Sequence, residues 1–203
     1  MTTLLKPLLL VLFSQGSAMV IEAPRYILES QTAHYDLRAC EAMLVAETRI
    51  EGGFDEAGRR GFRILADYIS GHNQSRTRAA KKPFNAQQAP PEKLAMTAPV
   101  NLVQSPWGFL VQFAMPAGFT LATLPRPNDD RVQLRELPAR RIAVTRYSGS
   151  WSEARFHAHR RALLAALKED GLRTIGEPVF ARFNSPFQLW FLRRNEIWIE
   201  VAP

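Results

Sequence analysis

The chain carries one pattern twice. Arg49-Ile50-Glu51-Gly52-Gly53-Phe54-Asp55-Glu56-Ala57 reads as Arg, apolar, x, Gly, x, aromatic, polar, Glu, Ala, and Arg146-Tyr147-Ser148-Gly149-Ser150-Trp151-Ser152-Glu153-Ala154 repeats it position by position. Helix-like sequence follows each copy. Further along, Ser105-Pro106-Trp107 is echoed by Ser185-Pro186-Phe187, each leading toward an apolar run. A duplication of this kind constrains the fold before any propensity does. Two half-domains with apolar faces must bury them on each other, and the seam between them is the natural place for a pocket. At 203 residues and 46% hydrophobic the chain can build one real core, so the repeats describe one duplicated domain. The half-repeats cover about 19–121 and 122–203.

Within each half, strands precede and follow a helix. Tyr26 to Glu51 reads as two strands, because apolar and polar residues alternate from Tyr35 and again from Leu44. Phe54 to Ile69 is a helix whose face is Phe54, Gly58, Gly61, Phe62, Leu65, Tyr68 and Ile69. Asp55 and Glu56 suit its first turn and Gly71 its end. His72 to Glu92 is polar and basic (Arg76, Arg78, Lys81, Lys82) and reads as a loop. It looks like an insertion: Gly71 to Ser105 spans 34 positions and the matching Gly171 to Ser185 only 14. Lys93 to Leu102 reads as a strand, as does Trp107 to Met115 with Trp107, Phe109, Val111, Phe113 and Met115 on one face. In the second half, Val132-Leu134 and Ile142–Tyr147 are strands. Ser150-Trp151-Ser152-Glu153 fits a capping box for a helix burying Phe156, Leu163, Leu164 and Leu167. Val179–Phe183 and Ile197–Val201 close the sheet, with Trp190 and Phe191 read as strand-face core. The fold class is α+β with antiparallel sheet.

Composition narrows function. The net charge of +7 is scattered rather than in runs, which fits an anionic partner or plain solubility. Cys40 is the one cysteine, so no internal disulfide or cysteine zinc site is possible. His157 and His159 lie two apart on a helix and cannot share a metal. No nucleophile elbow, His-Glu-x-x-His pair or phosphate loop occurs, and an enzyme is not expected. Lys6, the apolar run Leu8–Phe13 and the small residues Gly16-Ser17-Ala18 form a secretory signal pattern. Cleavage near Ala18 would place the mature domain, 19–203, in a periplasm or outside the cell. Translation from Met19 would leave it in the cytoplasm.

Lys93-Leu94-Ala95-Met96-Thr97-Ala98-Pro99-Val100 closely resembles the Lys-Ile-x-Met-Thr-x-Pro-Val signature of the SOUL heme-binding proteins. Tyr35-Asp36-Leu37-Arg38, Phe54-Asp55-Glu56-Ala57, Tyr68-Ile69-Ser70-Gly71-His72-Asn73 and Arg193-Arg194-Asn195-Glu196-Ile197-Trp198 are similar to family motifs in the same order. The resemblance covers roughly residues 21 to 202. It implies a pseudo-twofold α+β domain, a distorted antiparallel β-barrel flanked by two main helices. It also implies heme or another tetrapyrrole as ligand; with Ala39 where some members place an axial histidine, heme is expected to be held weakly or not at all.

A tetrapyrrole is a flat apolar macrocycle with two carboxylates, so its site needs an apolar platform beside cations. The first helix offers Phe62 and Ala66 with Arg59 and Arg63 one turn apart, and Met96 adds a thioether. In the family, the positions matching Arg59, Phe62 and Asp67 lie in the ligand-contacting helix. Asp67 departs from a basic residue seen in some members. The same residues also read as a solvated helix flank, with Met96 as ordinary core. Where some members place an axial histidine, this chain has Ala39 followed by Cys40. Cys40, His34 and His72 are the remaining axial candidates, and no structural metal is expected. Asn195 reads as a turn residue and Glu196 as a partner for nearby arginines.

The resulting expectation is a monomeric carrier, buffer or scavenger of a tetrapyrrole. The alternatives are a general binding module for anionic hydrophobic small molecules, of the effector-binding type, and an enzyme of tetrapyrrole metabolism. The basic loop reads first as a solvated loop, with peripheral contact to an anionic membrane surface or shielding of the pocket as alternatives, and nucleic-acid binding is not expected.

Overall fold

The computed structural model describes residues 22–76, 89–185 and 187–203. The signal-like stretch and the basic positions Arg78, Lys81 and Lys82 lie outside these residues. The fold is α+β. Strands β1 (Tyr26–Gln31), β2 (Asp36–Cys40) and β3 (Met43–Ile50) lead into helix α1 (Phe54–Ile69). The short β4 (Asn73–Gln74) is followed by β5 (Val100–Ser105), β6 (Gly108–Ala114) and the short β7 (Arg126–Pro127). The second half runs β8 (Gln133–Leu137), β9 (Arg140–Tyr147), α2 (Glu153–Glu169), β10 (Thr174–Arg182) and β11 (Asn195–Val201).

Nine strands form one curled antiparallel half-barrel in the order β1-β2-β9-β11-β10-β5-β6-β3-β8. Exchanging β2 with β8, β3 with β9, β5 with β10 and β6 with β11 returns the order β2 to β8 reversed. The connectivity is therefore symmetric under exchange of the halves. Each half also lends a strand to the other: β2 pairs with β9, and β8 pairs with β3. The halves meet where β5 and β10 pair, with Phe180 opposite Leu102.

The repeat has a local physical cause. Gly52 and Gly149 occupy the same place in the two copies, with φ of +119° and +125°. That region is strained for any residue with a Cβ, so both strand-to-helix turns need glycine. The aromatic five positions after each repeat arginine then diverges. Phe54 is buried between Phe109, Phe156 and Phe180, with ring centroids 5.8, 5.7 and 5.4 Å away. Its counterpart Trp151 is only half-buried and donates its indole N–H to Asn195 Oδ1 at 2.9 Å. Fully burying a ring such as Phe54 or Phe180 contributes about 1.5–3 kcal/mol, so this cluster anchors both helix starts to the sheet.

Several expectations are corrected. Tyr26 to Glu51 holds three strands, not two, because Thr32 to Tyr35 closes a tight turn. Residues 93–99 do not form a regular strand. Pro99 lacks an N–H for a ladder and directly precedes β5, while Leu94 donates its N–H to the carbonyl of Ile69. Trp107 is 79% exposed, because the chain reverses there between paired Ser105 and Gly108. The cap of α2 is Ser152, which accepts from the Arg155 N–H at 3.3 Å, so the Ser150–Glu153 box does not form. Trp190 and Phe191 lie in a 3-10 turn and are exposed, not strand core. The described residues of the loop 72–92 are held by specific hydrogen bonds. Buried Asn73 donates to the carbonyls of Tyr68 and Glu92 and accepts the Glu92 N–H, and β4 pairs with β7. Arg76 in this segment donates to the carbonyl of Leu121. Asn195 is fully buried within β11 rather than in a turn.

On α2, His159 stacks on Tyr147 with ring centroids 3.9 Å apart. Partial burial, then the nearby Arg155 cation, push its imidazole below the ordinary 6.5. The unfolded chain therefore takes up the proton first as pH falls, and stability declines below about pH 6.5. We expect the melting temperature to fall on acidification from pH 7 to 5.5, with a shallower fall in His159→Phe. Equal slopes would refute this assignment.

Candidate functional site

One open cleft of about 1280 Å³ lies along α1. That exceeds the roughly 300–1,000 Å³ of pockets for drug-sized ligands. It gathers all five residues expected to contact a ligand: Arg59, Phe62, Arg63, Ala66 and Met96. The helix places Phe62 and Ala66 at the margin of its buried face, which explains why they reach the cleft and Leu65 does not. Phe62 is 37% exposed and is supported edge-on by Phe113 at 5.4 Å. Met96 is 39% exposed, so it is a cleft residue rather than ordinary core. Arg59 and Arg63 are exposed and make no ion pair among the described residues. Neighbouring Arg60, by contrast, pairs with Glu56 at 3.0 Å.

Asp67 also lines the cleft, but its carboxylate is taken by His72 Nδ1 at 2.6 Å. Asp129 is clasped by Arg131, whose Nε and Nη2 lie 2.9 and 2.6 Å from its oxygens. The Arg131 hydrogen bond holds the Asp129 carboxyl below its ordinary range. With these two carboxylates occupied, Asp55 is the remaining carboxylate lining the cleft, against Arg59, Arg63 and Arg182.

Two residues of the far wall, Trp151 and Arg182, were not foreseen from the sequence. Trp151 at the start of α2, Arg182 at the end of β10, and Arg193 complete it. Both guanidinium carbons stack over the Trp151 ring, at 4.9 Å for Arg182 and 4.3 Å for Arg193. Two signals pointed here. Trp151 replaces the core Phe54 in the repeat, and Arg182 is a lone charge inside the apolar run Val179 to Phe183.

The axial candidates are elsewhere. His34 sits in the β1–β2 turn, His72 is tied to Asp67, and Cys40 lines a separate cavity of about 260 Å³. Burial pushes the Cys40 thiol up, which disfavours the thiolate a metal needs. No histidine or cysteine among the described residues lines the main cleft, where Met96 is the one soft donor. The cleft residues thus suit an apolar plane with anionic substituents, and offer no strong iron ligand.

Fold and site together describe an α+β domain with an arginine-rimmed apolar cleft. The chain belongs to the SOUL heme-binding protein family, whose profile matches residues 21–200. Solved structures share the fold. The EcmrR C-terminal domain matches at a TM-score of 0.59 and 14% identity, over 83% of this chain and 98% of that one. A conserved protein from Listeria innocua matches at 0.58 and 12%, over 90% and 93%. A second Listeria innocua protein, described as a hydrolase, matches at 0.54 and 11%, over 86% and 94%. No curated protein matches the chain.

Proposed function

We propose that the cleft binds heme or a related tetrapyrrole, and that the protein acts as a carrier, buffer or scavenger. The observation that carries this reading is the convergence of Phe62, Ala66 and Met96 with the unpaired Arg59 and Arg63 on one cleft wide enough for a macrocycle. The ring lies on the apolar wall, and the propionates meet the guanidinium groups. Membership of the family supports the ligand class. Hemin titration followed in the Soret band tests it. We expect a saturable shift at micromolar hemin, weakened about tenfold or more in Arg59→Glu with Arg63→Glu, since one charge-assisted contact is worth about that factor. No saturable shift would sink the reading, and an unchanged double variant would sink these contacts.

Among the described residues the cleft is lined by no histidine or cysteine, which favours a second reading, a broader module for flat anionic molecules. A flat anion that is not a tetrapyrrole, anilinonaphthalene sulfonate, separates the two: affinity equal to hemin supports the broader module. We further propose binding rather than turnover. Unaltered hemin after aerobic incubation with a reductant is the expected result. The N-terminal pattern supports export to a periplasm, which N-terminal sequencing of the mature protein from its host will check.

A further inference from the structure

We propose that Arg182 is the anion receptor of this cleft, and that it takes the ligand's carboxylate at the Trp151 end rather than at Arg59 and Arg63 alone. This deepens the tetrapyrrole reading and rests on the same cleft. Four observations support it. Arg182 is 9% exposed yet lines the cleft. Its Nε and Nη2 have no hydrogen-bond partner, and it forms no ion pair among the described residues. It is held instead by aromatic faces, with Phe54, Trp151 and Phe180 centroids 5.1, 4.9 and 5.0 Å from its guanidinium carbon. The helix opposite has no side chain at the contact: a Cβ at Gly58 would stand 2.6 Å from Arg182 Nη1.

Buried arginine is ordinarily satisfied by a carboxylate or carbonyl, because leaving the charge unpaired is costly. Burial, with Arg193 adding repulsion, pushes Arg182 down to about 10, still cationic at neutral pH. Asp55 attracts it without forming an ion pair within 4.0 Å. The aromatic cage orients the charge and leaves its hydrogen-bonding capacity unused. A flat ligand resting on the Trp151 side and presenting an anionic group supplies the missing acceptor. Arg193, which shares the Trp151 ring, adds a second positive charge at the same end. The inferred ligand class is therefore an aromatic or macrocyclic plane bearing a terminal anion.

The experiment pairs charged and neutral probes of equal shape. Hemin is compared with its dimethyl ester, and anilinonaphthalene sulfonate with uncharged phenylnaphthylamine, against the native protein, Arg182→Met and Gly58→Ser. The native protein should prefer each anion over its neutral analogue by about 10- to 100-fold. Arg182→Met should lose about tenfold of that preference, Arg59 and Arg63 keeping the rest, while its melting temperature holds or rises, because an unpaired buried charge has been removed. Gly58→Ser keeps the charge but displaces it, and should weaken the anions selectively. An Arg182→Met protein that keeps the native anion preference overturns the proposal, as does one that loses stability with binding unchanged. If hemin fails to bind the native protein, the tetrapyrrole reading falls, and the sulfonate pair still decides the role of Arg182.

Discussion

Glu196→Ala will lower stability by about 3–5 kcal/mol, the cost of leaving a buried charge without its partner. Glu196 is fully buried on β11. Its Oε2 accepts from Arg38 Nη1 at 3.2 Å and from the Trp198 indole at 2.7 Å. Its Oε1 accepts from Arg194 Nε and Nη2 at 3.0 and 2.6 Å. Arg194 is one-third exposed and can turn to water when the carboxylate is lost. Arg38, at 5% exposure, cannot, and keeps the Asp36 ion pair at 2.8 Å and the face of Tyr26. Trp198 would also bury an unsatisfied N–H. Arg38 lies on β2, the strand the first half lends to the second, so the cluster ties that strand to the central sheet. A chain of this size should lose about 6–20 °C in melting temperature. Glu196→Gln keeps acceptor capacity without the charge and should fall between. A melting temperature within 2 °C or so of native for Glu196→Ala would mean that Arg38 finds another counter-charge.

Gly61→Val should cost about 3 kcal/mol, and Gly61→Ala somewhat less. A glycine inside a helix is ordinarily about 1 kcal/mol worse than alanine, so propensity alone predicts stabilisation by alanine. Sterics decide otherwise. An ideal Cβ at Gly61 would stand 2.4 Å from Val111 Cγ2 and 2.6 Å from its Cβ. Val111 is fully buried on β6, paired on both sides by β3 and β5, and has nowhere to go. The helix must lift, and Phe62 and Arg63 lift with it, so hemin affinity should drop alongside stability. Val111→Ala in the Gly61→Ala background should recover at least about 1 kcal/mol of the loss, which a double-mutant cycle by urea denaturation will read. Additive losses would show that the helix yields elsewhere.

The candidate site was legible in part. The period of one helix, read together with the family resemblance, singles out Arg59, Phe62, Arg63 and Ala66 as candidates, and the motif singles out Met96. Glu196 was legible as an arginine partner because two arginines precede it in the chain. The other cleft wall was not legible, because Trp151 and Arg182 meet α1 only after two distant segments have folded. Likewise Trp190 and Phe191 have the composition of core, yet the chain turns before β11 and leaves them outside.

The duplicated motif determined the strand, the glycine turn and the helix in each half, because a positive φ and a helical period are properties of neighbouring residues. It also determined that the two halves must share one core. Tertiary structure alone decided that β2 and β8 change sides and that Phe54 enters the core while Trp151 faces the cleft. It also decided that Arg182 ends buried without an acceptor. Those outcomes depend on which distant surfaces meet, and on how much room and how many polar partners each meeting leaves.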